Sequence, residues 1–290
     1  MSGPPQPHVE PPPERGNWLR QIAGSATLRR VLSVFQAANI AVLPVKGVLT
    51  SHLLYDDFAS RTLGDIDIRI PRRHFDRAIR LARAHGWSSN IDGPVFWNAT
   101  LKVDNCEVDI ECTLGPPGFC ALTVDDLLAR AEPCVAPFGF DHLEPELNDH
   151  ALILVINAFK DGLRPQPWAL EDLRRIALHP RFDREKLAAR AQAGRVASAL
   201  WIVATWLADE HGAGDWRAVR DRIGPAPPSP RVARVYAYVR KLGWPQKAGL
   251  IATATSSDEI ARSSSGLALA AAGVLRRRAR MAWVRESRTR

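Results

Sequence analysis

Cysteine is scarce in this chain of 290 residues, and the few thiols are not spaced to hold a metal. Cys106, Cys112, Cys120 and Cys134 include no CxxC pair and have no histidine cluster beside them, which argues against a zinc site. Their small number at this length also argues against a disulfide framework. Reduced thiols in a cytosol fit the composition best, so we expect a cytoplasmic protein.

Long apolar runs and a secretory leader are missing as well. The longest largely apolar stretches, Ala197–Ala208 and Gly266–Leu275, are shorter than the roughly 20 residues that a membrane-spanning helix needs. The chain opens with prolines rather than with a basic and then apolar signal peptide. We therefore expect a soluble protein with no membrane contact.

The positive charge of the chain is concentrated near its end. The net charge is +8, from 39 basic and 31 acidic side chains. Between Arg276 and Arg290 there are seven arginines and a single glutamate. This segment is either a solvated basic tail or a contact for an anionic partner such as RNA. Because surface aromatics are not interleaved with the basic residues, a plain nucleic-acid-binding helical protein is disfavoured.

Strand and helix patterns divide the chain into a sheet-forming first half and a helical second half. Residues 1–16 are predicted to be a disordered Pro-rich leader, and residues 17–145 to be a domain with a mixed β-sheet and helices on one face. Residues 146–284 follow as an α-helical domain, and residues 285–290 as a basic tail. The predicted fold class is therefore α+β, without internal repeats.

The expected elements follow from hydrophobic periodicity and from Pro, Gly and Asn breaks. Those of the first half are helices at Trp18–Ala38, Gly47–Tyr55, Arg72–His85 with Gly86 as cap, and Val124–Ala131, strands at Ile40–Val45 and Gly64–Ile70, a hairpin of Val95–Val103 and Cys106–Leu114 that turns at Asp104-Asn105, and an edge strand at Val135–Phe140. Those of the second half are helices at Asn148–Lys160, Trp168–Leu178, Arg184–Ala193, Ala197–His211, Asp215–Arg222, Arg231–Leu242 and about Asp258–Val284.

An acidic strand stands at the centre of the first half. In Gly64–Ile70 the side chains of Asp65 and Asp67 project to one face of the strand, while isoleucines take the other. The predicted strand Cys106–Leu114 repeats this arrangement, with Glu107, Asp109 and Glu111 on its acidic face. Carboxylates that converge from two strands repel one another unless a cation neutralises them.

This arrangement predicts a divalent-metal centre for phosphoryl or nucleotidyl transfer. Three carboxylates can hold two Mg²⁺ (or Mn²⁺) ions about 4 Å apart, one on the triphosphate of an NTP and one on an attacking hydroxyl. Upstream, Lys46-Gly47 opens a helix whose free N–H groups can approach a phosphate. Lys46 and Arg61 are the candidate phosphate cations. His52, His74, His85 and His150 show no partner pattern, and this chemistry needs no catalytic histidine.

The ordered set of motifs resembles a known family. Lys46-Gly47, Tyr55, Arg61, Gly64-Asp65-Ile66-Asp67 and Val108-Asp109-Ile110 resemble the bacterial nucleotidyltransferase family of the DNA-polymerase-β-like superfamily over about Leu43–Leu114. A weaker resemblance follows at Lys160 and Asp172, on two predicted helices. These two residues are either nucleotide-binding or a structural ion pair.

The resemblance implies roles for individual residues. Asp65, Asp67 and Asp109 would be the catalytic metal ligands, and Gly47 would lie under the phosphates of the NTP substrate. The chain departs from the pattern at Val48, where the superfamily often has serine, and at Glu111, where the family often has histidine. Glu111 could therefore be an additional carboxylate.

Two classes of function remain open from the sequence. The first is a metal-dependent nucleotidyltransferase that moves NMP to a hydroxyl of a small molecule, a peptide or protein, or an RNA end such as that of tRNA. The second is a catalytically degenerate nucleotide-binding or scaffold protein, which has no use for three converging carboxylates. The acceptor, the preferred base and the oligomeric state are not encoded in any motif.

Overall fold

A computed structural model describes residues 13–90, 97–242 and 257–262, together with residues 264–266, 268 and 272. Within these residues the chain has the predicted α+β fold, with a mixed five-stranded sheet in its first half and helices throughout its second half. None of the described helices combines the length and the apolar character needed to cross a bilayer.

The sheet brings the two acidic strands side by side. Its strands are β1 (Leu43–Val45), β2 (Ile66–Arg69), β3 (Ser88–Asn90), β4 (Asn98–Val103) and β5 (Cys106–Glu111), in the order β1-β2-β5-β4-β3. β2 and β5 pair in parallel, whereas the other neighbours are antiparallel. Residues directly opposite one another in a sheet point to the same face. The pairing of Asp67 with Asp109 therefore puts the two carboxylates on one face.

The other face of the sheet is apolar and is covered by helices, as predicted. Ile66, Ile68 and Val108 are almost fully buried in a core that also contains Phe35 and Ile79 from the flanking helices. The helices of the first half are α1 (Pro13–Ala37), α2 (Gly47–Leu54), α3 (Phe75–Ala84), which a short 3₁₀ turn precedes, and α4 (Val124–Leu128). Most of the apolar surface of the sheet domain is removed from water in this core.

Three sequence predictions in this half need correction. Helix α1 begins at Pro13, inside the predicted leader, because proline is tolerated in the first turn of a helix. Residues 1–12 lie outside the described part of the chain. In the β4–β5 hairpin the left-handed residue is Asp104, with φ of 53°, rather than Asn105.

The third correction concerns the edge strand predicted at Val135–Phe140. Those residues form the connection between two short strands, β6 (Glu132–Cys134) and β7 (His142–Glu144), which pair as a separate antiparallel hairpin. Pro137 has no N–H to donate to a strand ladder, and Gly139 has φ of 74° and donates its N–H to the carbonyl of Val135. Both features favour a turn over a strand.

In the second half the structure confirms six of the predicted helices to within about one residue at each end. They are α5 (Leu147–Lys160), α6 (Pro167–Leu178), α7 (Arg184–Ala193), α8 (Ala197–Glu210), α9 (Gly214–Ile223) and α10 (Pro230–Leu242). Their core extends into the first half, since it also contains Leu43 and Val45 of β1. Most of the helix predicted at about Asp258–Val284, and the basic tail, lie outside the described residues.

Candidate active site

Three aspartates form a compact cluster on the polar face of the sheet. Asp67 lies in β2, Asp65 immediately precedes this strand, and Asp109 lies opposite Asp67 in β5. One carboxylate oxygen of each lies within 4.8 Å of the others. The cluster therefore depends on two local facts, the alternation of side chains along β2 and the parallel register between β2 and β5.

The protein leaves this cluster of negative charge incompletely neutralised. Burial, followed by the charges of Asp67 and Asp109, raises the pKa of Asp65 to about 6. Burial also raises the pKa of Asp109, although its carboxylate accepts a hydrogen bond of 2.6 Å from the Thr100 hydroxyl. Carboxylates in this condition fit a divalent cation, which would remove their mutual repulsion and take the oxygen ligands that Mg²⁺ and Mn²⁺ prefer.

The Lys46-Gly47 turn packs directly against the acidic strand. Lys46 Nζ lies 2.5 Å from Asp67 Oδ1, and Lys46 itself has a positive φ of 48°. Gly47 has φ of 37°, and a Cβ atom at this position would lie 2.7 Å from the carbonyl oxygen of Asp65. Only glycine allows this close approach. The turn thus delivers one ammonium group and the N-terminus of α2 to the edge of the aspartate cluster.

His150 holds this turn in place, and sequence reasoning missed it. Its Nε2 accepts the N–H of Lys46 at 3.1 Å and lies 3.2 Å from the Thr50 hydroxyl. Burial, with the charges of Arg61 and Lys46, lowers the pKa of His150 to about 3, so the ring is neutral and can accept. The sequence offered one indication of this role, which is that three polar residues open an otherwise apolar helix. In the structure all three have no exposed surface: Asn148, Asp149 and His150.

Lys160 lies close enough to the aspartate cluster for the charge of Asp67 to affect its pKa. It is the last residue of α5, and burial together with the charges of Arg69 and Lys46 lowers its pKa to about 8, against opposing contributions from Asp161 and Asp67. Lys160 therefore lies within electrostatic reach of both Lys46 and Asp67. Of the two alternatives for Lys160 and Asp172, the structural ion pair is not formed, because Asp172 pairs with Arg61. The nucleotide-binding role of Lys160 stays a prediction.

Arg61 and Asp172 lie together in a buried ion pair. The guanidinium donates three hydrogen bonds of 2.8, 3.1 and 2.8 Å to the carboxylate, which also accepts the Tyr55 hydroxyl at 2.9 Å. A further guanidinium nitrogen donates to the carbonyl of Gly47 at 3.2 Å. Asp172 is only 1% exposed. These contacts fasten α6 to the start of α2, and they do not support the nucleotide contact predicted for either side chain.

Glu111 does not join the aspartate cluster. It lies opposite Arg69 in the β2–β5 register and forms an ion pair with that buried guanidinium. Glu107, at the other end of β5, is exposed and lies 3.8 Å from Lys102. The additional carboxylate suggested for Glu111 is therefore already neutralised by the protein.

Comparison with known protein families identifies the family of this chain. A family model described as "uncharacterised nucleotidyltransferase" matches residues 14–212, which is more than half of the chain. The chain belongs to this nucleotidyltransferase family. The matched range contains all three clustered aspartates, both lysines and His150.

Two other comparisons add little to the family assignment. A comparison with curated protein sequences found no match. Among solved structures, the antibiotic-resistance factor ANT(2'')-Ia is similar, and its solution structure was described as revealing substrate-regulated conformation dynamics. The identity is 14%, the TM-score is 0.44, and the match covers 59% of this chain and 91% of that one. A likeness at this level is too weak to support an inference about substrate.

Proposed function

We propose that this nucleotidyltransferase moves NMP from an NTP to a hydroxyl acceptor with the help of Mg²⁺ or Mn²⁺. The observation that carries the proposal is the convergence of Asp65, Asp67 and Asp109, with their oxygens within 4.8 Å of one another, beside the ammonium of Lys46. A scaffold or a degenerate nucleotide-binding protein gains nothing from holding three mutually repelling carboxylates together.

The three aspartates are the proposed ligands of the divalent cation. When bound, the cation would neutralise developing charge on the transferred phosphoryl group and lower the pKa of the acceptor hydroxyl. Lys46 and Lys160 would neutralise the remaining charge of the triphosphate, and the N–H groups at Gly47 would orient it. In free protein, Lys46 occupies Asp67 Oδ1, so nucleotide and metal would displace this ammonium onto a phosphate.

The bond changes of the proposed reaction are simple. The acceptor oxygen attacks the α-phosphorus, the bond from that phosphorus to the bridging oxygen breaks, and pyrophosphate leaves. The proton of the acceptor hydroxyl needs a base. Asp109 is suited to this role because the Thr100 hydroxyl engages Oδ1, which leaves Oδ2 for the proton.

Labelled nucleotides provide the decisive test. The purified chain is incubated with Mg²⁺, a cell extract fractionated into small molecules, RNA and protein, and each NTP carrying its label either at the α- or at the γ-phosphate. Transfer of the α-label with release of pyrophosphate supports the proposal. Transfer of the γ-label alone would establish a kinase reaction instead, and binding of NTP without transfer of either label would favour the scaffold alternative.

A truncation separates the acceptor classes. Removal of Arg276–Arg290 deletes the basic segment while leaving the aspartate cluster untouched. If the acceptor is RNA, the truncated protein should bind it more weakly and with a smaller dependence on salt, because fewer counterions are released. Unchanged RNA affinity and salt dependence would point to a small molecule or a peptide.

A further inference from the structure

A second group of ligand-type side chains lies on the small β6–β7 hairpin, which is not part of the five-stranded sheet. Cys134 is opposite His142 in the antiparallel register, and Glu144 follows two residues later on the same face. One ligand atom of each of these three residues lies within 4.8 Å of the others. A thiol, an imidazole and a carboxylate are the ligand types that Zn²⁺ takes in proteins.

The strongest indication of a bound ion is an imidazole nitrogen without a partner. His142 is only 2% exposed, and its Nε2 is buried without any hydrogen bond in the described structure. Its Nδ1 lies 3.1 Å from the carbonyl oxygen of Phe140. A donor bond from Nδ1–H to a backbone carbonyl fixes the tautomer and leaves the lone pair on Nε2, which is the arrangement of a metal-ligating histidine. A buried nitrogen left without any partner is otherwise unfavourable.

The other two side chains are also oriented by their surroundings. Glu144 Oε1 accepts a hydrogen bond of 2.6 Å from Arg181, which leaves Oε2 for another partner. The half-buried Cys134 has its Sγ 2.8 Å from the carbonyl oxygen of Ala136. Aromatic rings border the site, with the Phe138 ring 4.8 Å from the His142 ring. The carboxylate thus has a charged second partner, and an apolar wall shields the imidazole from water.

We propose that Cys134, His142 and Glu144 form a Zn²⁺ site that stabilises the hairpin. Zinc bonds to sulfur, nitrogen and oxygen of about 2.0–2.3 Å place tetrahedral ligand atoms roughly 3.3–3.8 Å apart, so this cluster needs little movement to close on the ion. Binding releases the thiol proton of Cys134 to solvent, and a water molecule completes four-coordination. The spacing argument against zinc does not exclude this site, because only one cysteine would participate and because the turn, rather than a CxxC motif, would bring the ligands together.

The site is distinct in chemistry from the aspartate cluster, and this makes it testable in the full-length protein. Metal is removed with a chelator, and Co²⁺ is then titrated in the presence of excess Mg²⁺, which occupies the carboxylate site. Co²⁺ bound to a thiolate gives a sulfur-to-metal charge-transfer band in the near ultraviolet, which a cluster of carboxylates cannot give. We expect one equivalent of Co²⁺ to produce the band and one equivalent of Zn²⁺ to abolish it by displacement.

Matched variants identify the ligands. Cys134→Ser should abolish the band, and His142→Gln should abolish it or weaken Co²⁺ binding at least tenfold, while Cys106→Ser keeps it. Cys106 is a suitable control because it is also a half-buried cysteine in a hairpin strand. Because His142→Gln could impair folding, a second measurement uses the unmodified chain. It determines whether bound Zn²⁺ protects a thiol from alkylation, with the alkylated cysteines mapped by mass spectrometry. Zn²⁺ should slow alkylation of Cys134 but not of Cys106. Absence of a charge-transfer band, an unchanged band in Cys134→Ser, or equal alkylation with and without Zn²⁺ would overturn the proposal.

Discussion

Asp172 in the helical half and the aspartate cluster on the sheet are carboxylates that the protein treats in opposite ways. Asp172 receives three hydrogen bonds from Arg61 and one from Tyr55, so its charge is matched by a bidentate partner. Among Asp65, Asp67 and Asp109, only Asp67 forms an ion pair within the described residues, with the ammonium of Lys46, and the pKa of Asp65 rises to about 6. The first arrangement is complete within the protein, whereas the second lacks positive charge.

This difference in neutralisation distinguishes a carboxylate that holds the fold together from carboxylates that are available to a ligand. A buried carboxylate that the fold has already neutralised can hold two segments together, but it has nothing left to offer a ligand. A cluster that the fold leaves short of positive charge favours the binding of a cation. Substitution of the two kinds of carboxylate should therefore have opposite effects on stability and activity, and the predictions below run from the largest expected effect to the smallest.

Removal of the charge of Asp172 should destabilise the protein strongly. Asp172→Asn leaves the Arg61 guanidinium buried without its counter-charge, and a broken buried pair costs about 3–5 kcal/mol. Chemical denaturation measures the loss. The neighbouring Glu171→Gln is the control, because Glu171 forms only a partly exposed pair with Arg175 and should change stability by less than about 1 kcal/mol. Equal effects of the two variants would contradict the scaffold role.

Removal of the charge of Asp67 should instead abolish activity. Asp67→Asn is expected to reduce nucleotidyl transfer by at least about 10²–10³-fold, the size of effect seen when one preorganised electrostatic group is lost. Stability should be retained, since a repelling carboxylate is removed and the Lys46 ammonium keeps the nearby charges of Asp65 and Asp109. Glu107→Gln on the neighbouring strand should keep full activity, because Glu107 is exposed and outside the cluster. A thermal melt beside the labelled-NTP assay distinguishes the outcomes. If Asp67→Asn lowered the melting temperature strongly but kept its activity per folded molecule, this aspartate would be structural.

Gly47→Ala should show how closely the lysine turn must approach the acidic strand. The added Cβ would lie 2.7 Å from the carbonyl oxygen of Asp65, in a backbone conformation with φ of 37°. Strain of this kind costs about 1–3 kcal/mol, and we expect both lower stability and weaker NTP binding. Gly64→Ala is the control, since a Cβ at Gly64 meets no atom within 4 Å. Identical melting temperatures for both variants would contradict the close packing of this turn.

The smallest predicted effect is a pH dependence of nucleotide binding. Because the pKa of Lys160 is lowered to about 8, its ammonium is charged below this pH and progressively lost above it. The affinity for Mg²⁺–NTP should therefore fall by roughly fivefold as the pH rises from about 7 to about 9, an effect of about 1 kcal/mol for a half-buried charge.

The matched variant for this pH dependence is Lys160→Arg, since an arginine stays protonated over the whole range and should remove the decline. Calorimetry at several pH values, in buffers of different ionisation enthalpy, should also detect proton uptake on binding to the unmodified protein near pH 8. A decline of the same size in Lys160→Arg would assign the titration to another group.

The sequence alone determined much of the fold and the centre of the site. The alternation of isoleucine and aspartate in Gly64–Ile70 requires a strand with one apolar and one acidic face, because successive side chains in a strand point to opposite sides. Helical periodicity placed α5 to α10 to within about one residue. The same local reasoning predicted that the acidic faces of two strands converge, whereas the choice of Asp109 as the third metal ligand rested on the family resemblance.

Only the tertiary structure decided which charges meet. Arg61 is 111 residues from Asp172, and His150 is 104 residues from Lys46, so no local period could pair them. The same holds for Glu111, whose charge is cancelled by the register with Arg69, and for Lys160, whose pKa depends on the charges that folding brings to the end of α5. Periodicity reports which face a side chain takes, whereas the free energy of a buried charge depends on partners that only chain folding brings within a few ångströms.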